Sequence, residues 1–173
     1  MFIKSVPNLL TFANLSLGVL SILEVSKGHY MLSAVFILVA AFIDRYDGRI
    51  ARHFNVCSEF GGELDSLADL VSFGVAPAIL LHHKFNSPDY GYYEVLGIVL
   101  MLLFVIAGSY RLGRYNVQKF DGDFRGLPIT VAGFVLSIYS LAVPSTRGSF
   151  IAAMVLLLIL SLCMVSNFKL RKI

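Results

Sequence analysis

The chain contains no tryptophan, two cysteines and five prolines among 173 residues, and only 14% of it is charged. Each shortage excludes something. Cys57 and Cys163 are too few and too far apart for a disulfide framework or a zinc site, and both read as plain thiols. So little charge, beside 57% hydrophobic residues and a mean hydropathy of +0.78, excludes an ordinary soluble domain of this length. A net charge of +3 is too small for a nucleic-acid binder. There is no internal repeat and no low-complexity segment. No small-residue cleavage site follows the apolar run after Lys4, so the first hydrophobic segment is expected to be retained. These exclusions leave an integral membrane protein, read as one domain over residues 1–173.

Apolar length takes the place of charge. About 20 mostly apolar residues cross a bilayer as a helix. Six stretches qualify: residues 9–25, a second from residue 31 that ends in an acidic stretch, 61–81, 92–110, 127–143 and 150–166. The expected fold is all-α, with six transmembrane helices. Pro77 is expected to kink the third, and Pro128 and Pro144 to mark the ends of the fifth. Orientation follows from the basic residues. With both termini cytoplasmic, that side holds Lys4, Arg45, Arg49, Arg52, Arg111, Arg114, Lys119, Arg125, Lys169, Arg171 and Lys172, and the far side only Lys27, Lys84 and Arg147. The split is 11 against 3, so a multi-pass protein of the cell membrane with this orientation is expected.

Against this background four aspartates stand out: Asp44, Asp47, Asp65 and Asp69. An ionisable residue at membrane depth costs roughly 2.5–3.5 kcal/mol on insertion scales and by default marks a functional site. Asp44 and Asp47 are spaced i, i+3, and Asp65 and Asp69 i, i+4, so each pair shares one helix face. The apolar runs 31–43 and 70–82 match in length. Each covers roughly 20 Å of a ~30 Å hydrocarbon core. Both pairs therefore lie at similar depth, in the cytoplasmic third of the membrane, and antiparallel neighbours can bring them face to face. Carboxylate oxygens favour a hard cation such as Mg²⁺ or Mn²⁺ over zinc. Two such ions would offset four aspartates and clamp a phosphoryl group. Arg49 and Arg52 nearby suit a phosphate-rich ligand. Interfacial salt bridging explains one such aspartate, not two face-matched pairs.

The residues from Asp44 to Asp69 fit D-x2-D-G-x2-A-R-x8-G-x3-D-x3-D, eight fixed positions over 26 residues. This pattern resembles that of the CDP-alcohol phosphotransferases. The segment from Glu63 to Pro77, together with Arg111-Leu112-Gly113-Arg114-Tyr115-Asn116 and Phe124-Arg125-Gly126-Leu127-Pro128, is similar to the phosphatidylserine synthase branch. The usual form of the second segment has Ala where Gly113 stands and Phe where Tyr115 stands. Pro7-Asn8-Leu9-Leu10-Thr11 resembles the family's first-helix start.

The resemblance implies that Asp44, Asp47, Asp65 and Asp69 hold two divalent cations, and that Asp69 also acts as general base on the incoming hydroxyl. It implies that Gly48, Ala51 and Arg52 line the CDP pocket, with Asn8 and Thr11 nearby. The implied reaction joins a CDP-linked lipid, CDP-diacylglycerol or CDP-archaeol, to a small alcohol and releases CMP, in an enzyme that is usually a homodimer. L-serine is the acceptor this branch implies. Its carboxylate wants an arginine and its ammonium a carboxylate or carbonyl oxygen. Arg111, Asn116 and Glu63 are the candidate contacts, with Arg125 beside them. Glycerol phosphate or inositol phosphate would carry no ammonium for Glu63. An ion-coupled transporter is the reading from another class, but such proteins often show repeats and interrupted helices at the midplane.

Overall fold

In the computed structural model the described residues are 6–53, 59–85, 92–117, 124–166 and 169–170. Within them, side chains 6–7, 47–53, 59, 92, 124–125 and 169–170 are outside the description. The expected Asp47, Gly48, Ala51, Arg52 and Arg125 side chains therefore lie outside it.

The described residues form six helical rods. Helix α1 is Val6–Ser26 and α2 is Tyr30–His53. The third rod is composite: α3 (Glu59–Asp69), a π-helical turn (Leu70–Val75) and α4 (Ala76–Phe85). Then come α5 (Tyr92–Val117), α6 (Ile129–Ala142) and α7 (Arg147–Val165). Two-residue strands β1 (Phe124–Arg125) and β2 (Lys169–Leu170) pair antiparallel. Among the described residues the fold is thus helical apart from this short ladder, which hydropathy does not foretell.

Four rods are long and apolar enough to cross a membrane: Asn8–Ser26, Phe60–Phe85, Tyr93–Val117 and Arg147–Val165. Helix α6 is apolar but shorter, at 14 residues. That length is about 21 Å, less than a hydrocarbon core. Helix α2 spends its apolar residues before Asp44 and then continues as a charged helix. Large apolar side chains face outward along the rods, among them Leu23, Val39, Leu102, Ile106, Ile159 and Leu162. Such a surface suits lipid rather than water.

Inside, Ile37, Phe73, Leu80, Phe104, Ile129, Leu136, Phe150 and Met164 form one continuous core to which α1 adds Val25. Small residues set the closest approaches. A Cβ on Gly18 would lie 2.8 Å from the Cα of Ser72, and one on Gly133 would lie 2.8 Å from the Cα and O of Phe73. The π turn therefore sits between α1 and α6 with bare backbone on both sides. Pro77 explains why it sits there. Proline has no N–H for the carbonyl four residues back, and its ring pushes that carbonyl aside. Here that carbonyl belongs to Phe73, and it turns against Gly133. The expected disturbance at Pro77 thus takes the form of an i→i−5 turn, in which the Ala76 N–H donates to the Val71 carbonyl.

The ends are tied. Pro128 caps α6 with φ −58°, and Val143 ends it just before Pro144. Lys84 donates to the Ser140 carbonyl and, at 3.0 Å, to that of Val143, closing the last turn of α6. Gly126 has φ +77° and packs on the carbonyls of Met164 and Ser166, while the Leu127 N–H donates to Cys163 O at 3.1 Å. This pins the start of α6 to the end of α7.

Gly133→Ala should lower the melting temperature in detergent by the equivalent of about 1–3 kcal/mol, because backbone rather than a flexible side chain meets the new methyl. Gly113→Ala, where a Cβ meets nothing within 4 Å, should leave it unchanged or slightly raised.

Candidate active site

Asp44, Asp65 and Asp69 converge. Each presents a carboxylate oxygen, and the three oxygens lie within 4.8 Å of one another. Asp44 projects from α2 where the apolar run ends. Asp65 and Asp69 project from one face of α3, as their spacing requires. Asp69 is the last residue before the π turn and is 8% exposed, whereas Asp44 and Asp65 are half-buried.

The three open into a cavity of about 840 Å³. Its wall includes Arg45, Gly62 and Ser66, then Arg111, Tyr115 and Asn116 from α5, and Pro128 and Thr130 from the start of α6. The first turn of α6 meets the cavity at the depth of the aspartates, where Thr130 and Val131 join its wall. A Cβ on Gly62 would meet nothing within 4 Å, so the recess also reaches that glycine.

Electrostatics decide what such a recess accepts. At an effective dielectric of 20, two like charges 4.8 Å apart repel by about 3.5 kcal/mol, and three carboxylates make three such pairs. Arg111 lies within electrostatic reach of Asp69, and its Nε is buried without a hydrogen-bond partner among the described residues. Arg45 and Arg111 both line the cavity beside the three carboxylates. The donor set, all carboxylate oxygen, fits a hard divalent cation and not a nitrogen- or sulfur-seeking one.

The other expected contacts divide. Arg111 and Asn116 line the cavity. Glu63 does not, but it accepts from Asn116 Nδ2 at 3.2 Å, and Ser66 Oγ lies 3.1 Å from the same nitrogen. Thr11 is buried on α1 and Asn8 sits one turn before it, and neither reaches the cavity wall. Two partners of the aspartates escaped the sequence reading. Asn14 Nδ2 donates to Asp69 Oδ1 at 3.2 Å, and Thr130 Oγ1 donates to Asp44 Oδ2 at 3.4 Å. A signal for Asn14 was available: it is an amide in an apolar run, three residues after Thr11.

A family profile described as CDP-alcohol phosphatidyltransferase matches residues 4–165. The chain belongs to that family. Among CDP-alcohol phosphatidyltransferases, a CDP-diacylglycerol–serine O-phosphatidyltransferase of Helicobacter pylori is 34% identical over 173 residues, covering 94% of this chain and 70% of that protein. A protein of the same name from Methanocaldococcus jannaschii is 33% identical over 170 residues, covering 98% and 75%. An archaetidylserine synthase of Methanothermobacter thermautotrophicus is 39% identical over 140 residues, covering 79% and 58%.

Charge crowding makes a measurable demand. With a chelator present, Asp65→Asn should melt higher than the unsubstituted protein, by on the order of 1 kcal/mol after solvent screening. Excess Mg²⁺ or Mn²⁺ should erase the gain by stabilising only the intact triad. Detergent-phase thermal melts with and without the ion give the comparison.

Proposed function

We propose that this protein transfers a phosphatidyl or archaetidyl group from a CDP-linked lipid to the hydroxyl of L-serine, releasing CMP. The observation that carries the reading is the convergence of Asp44, Asp65 and Asp69 in one cavity of a CDP-alcohol phosphatidyltransferase chain. The acceptor rests on the relatives named for serine. The archaetidylserine synthase among them supports an ether-linked lipid as readily as an ester-linked one.

The proposed setting is one six-span membrane domain with both termini and the cavity on the cytoplasmic side. Four apolar spans, the shorter α6 and the charged continuation of α2 support it. A CDP-lipid keeps its tails in the bilayer and its diphosphate at the interface, which is where a polar recess ringed by apolar rods meets it. A homodimer is part of the same proposal.

In this mechanism Asp44, Asp47, Asp65 and Asp69 would hold two divalent cations, Mg²⁺ or Mn²⁺. Bound there, the ions would supply positive charge to the diphosphate and to the departing CMP. Gly48, Ala51 and Arg52 of α2, with Asn8 and Thr11 of α1, would receive the CDP group. Arg111 would take the serine carboxylate; Asn116 and Glu63, already bonded to each other, would meet its ammonium, with Arg125 alongside. Asp69 removes the serine hydroxyl proton as the oxygen bonds to the lipid-bearing phosphorus. The phosphorus–oxygen bond to CMP breaks, and its electron pair leaves with CMP. A carboxylate is a weak base, with a reference pKa near ~3.9, so proton transfer and attack are concerted. Displacement is direct and in line.

The test is CMP release by purified protein from CDP-diacylglycerol and from CDP-archaeol, with serine, glycerol phosphate or inositol phosphate as acceptor. Serine should be the acceptor used, and chelation should abolish turnover. Asp69→Asn should lower kcat by about 10²–10⁴-fold. Arg111→Ala should raise the KM for serine far more than that for the CDP-lipid. Metal-independent turnover, or full activity in Asp69→Asn, would defeat the mechanism.

A further inference from the structure

Two neutral side chains grip the carboxylate cluster from opposite flanks. Asn14, 1% exposed on α1, donates its amide to Asp69 Oδ1 at 3.2 Å across 55 residues of sequence. Thr130, at the start of α6, donates its hydroxyl to Asp44 Oδ2 at 3.4 Å across 86 residues. The amide must present its NH₂ here, because its oxygen would face a carboxylate.

Asn14 is held by more than this bond. Its backbone carbonyl accepts from Ser72 Oγ at 2.9 Å, and Gly18, one turn further along α1, lets the Ser72 backbone come close. Asn14 therefore fixes Asp69 with its side chain and the π turn with its main chain. Asn14 also carries a cost. Its own Oδ1 is buried and has no hydrogen-bond partner among the described residues. A buried orphan acceptor is destabilising, and a residue of similar volume without one would pack better. Packing does not account for an asparagine at this position, whereas aiming a carboxylate does.

We propose that Asn14 and Thr130 are positioning residues that aim Asp69 and Asp44 at the bound cation and, at Asp69, at the acceptor proton. This rests on the functional reading above. Outer partners of ligating carboxylates set both affinity and geometry, and losing one typically costs 10–100-fold. The two residues differ in what they govern. Thr130 holds a carboxylate with a ligand role alone, so its loss falls on ion affinity. Asn14 holds the carboxylate that also moves a proton, so its loss falls on ion affinity and on kcat together.

The experiment measures Mn²⁺ binding directly, by the electron paramagnetic resonance signal of free Mn²⁺ in titrations of full-length protein in detergent. CMP release and thermal melts are run on the same samples. Thr130→Val should weaken Mn²⁺ binding by about 10-fold, and Thr130→Ser, which keeps the hydroxyl, should restore it. Asn14→Leu should weaken binding by a similar factor and lower kcat by 10–100-fold, with little change in KM for the acceptor. Its melting temperature in chelator should hold, because loss of the buried orphan acceptor offsets loss of the bond to Asp69. A melting temperature that falls in Asn14→Leu while Mn²⁺ affinity is kept would make Asn14 merely structural and overturn its part. Equal Mn²⁺ affinity in Thr130→Val, Thr130→Ser and the unsubstituted protein would overturn Thr130's. If the unsubstituted protein binds no Mn²⁺, the functional reading falls and the positioning role falls with it. If it binds Mn²⁺, Asp69→Asn loses it and both hydroxyl- and amide-less variants keep it, the positioning role alone falls.

Discussion

Mutual repulsion among three carboxylates within 4.8 Å of one another is the constraint on which the rest of the molecule depends. Water is the usual remedy for such crowding, and an apolar bundle offers little of it. The fold answers by fixing the carboxylates on two helices of a rigid frame. Asp44 rides the end of an apolar run, Asp65 and Asp69 share a face of α3, and amide and hydroxyl donors reach them from α1 and α6. The result is a cluster of acidic oxygens beside Arg45 and Arg111 at the edge of an apolar body, a setting that suits a divalent ion and a lipid diphosphate alike.

Much of this arrangement was legible in the sequence. The six apolar runs correspond to six rods because segregation of apolar length is the strongest signal a membrane chain carries. The facing of Asp44 with Asp65 and Asp69 followed from helical spacing and equal run lengths. Pro128 and Pro144 marked the ends of α6, since one cannot continue a helix backward and the other cannot extend it. The start moved from residue 127 to Ile129 because Pro128 itself became the cap. Helix α5 runs on to Val117, beyond the apolar stretch, because Arg111, Tyr115 and Asn116 find polar company in the cavity wall.

The remainder was not legible, for physical reasons. Hydropathy does not distinguish an i→i−4 from an i→i−5 ladder, so the π turn left no mark beyond Pro77. Asn14 and Thr130 meet their aspartates across 55 and 86 residues, and no local pattern encodes such pairings. The bonding of Glu63 to Asn116 belongs to the same class: both were recognisable as polar residues near the site, but not as partners of each other.

The π turn has one more consequence. An α-helix advances about 100° per residue, so a rod that takes up one extra residue within a turn leaves it out of phase with its own beginning. Upstream of Leu70 the third rod keeps the azimuth that aims Asp65 and Asp69 at α2; downstream it keeps the one that seats Ala76, Leu80 and Leu81 in the core. The two halves answer to different neighbours, and the turn is the phase shifter between them. Rewinding that turn as plain α-helix, with no residue removed, would leave both halves helical and both sequences intact, yet only one of them could still face its neighbour.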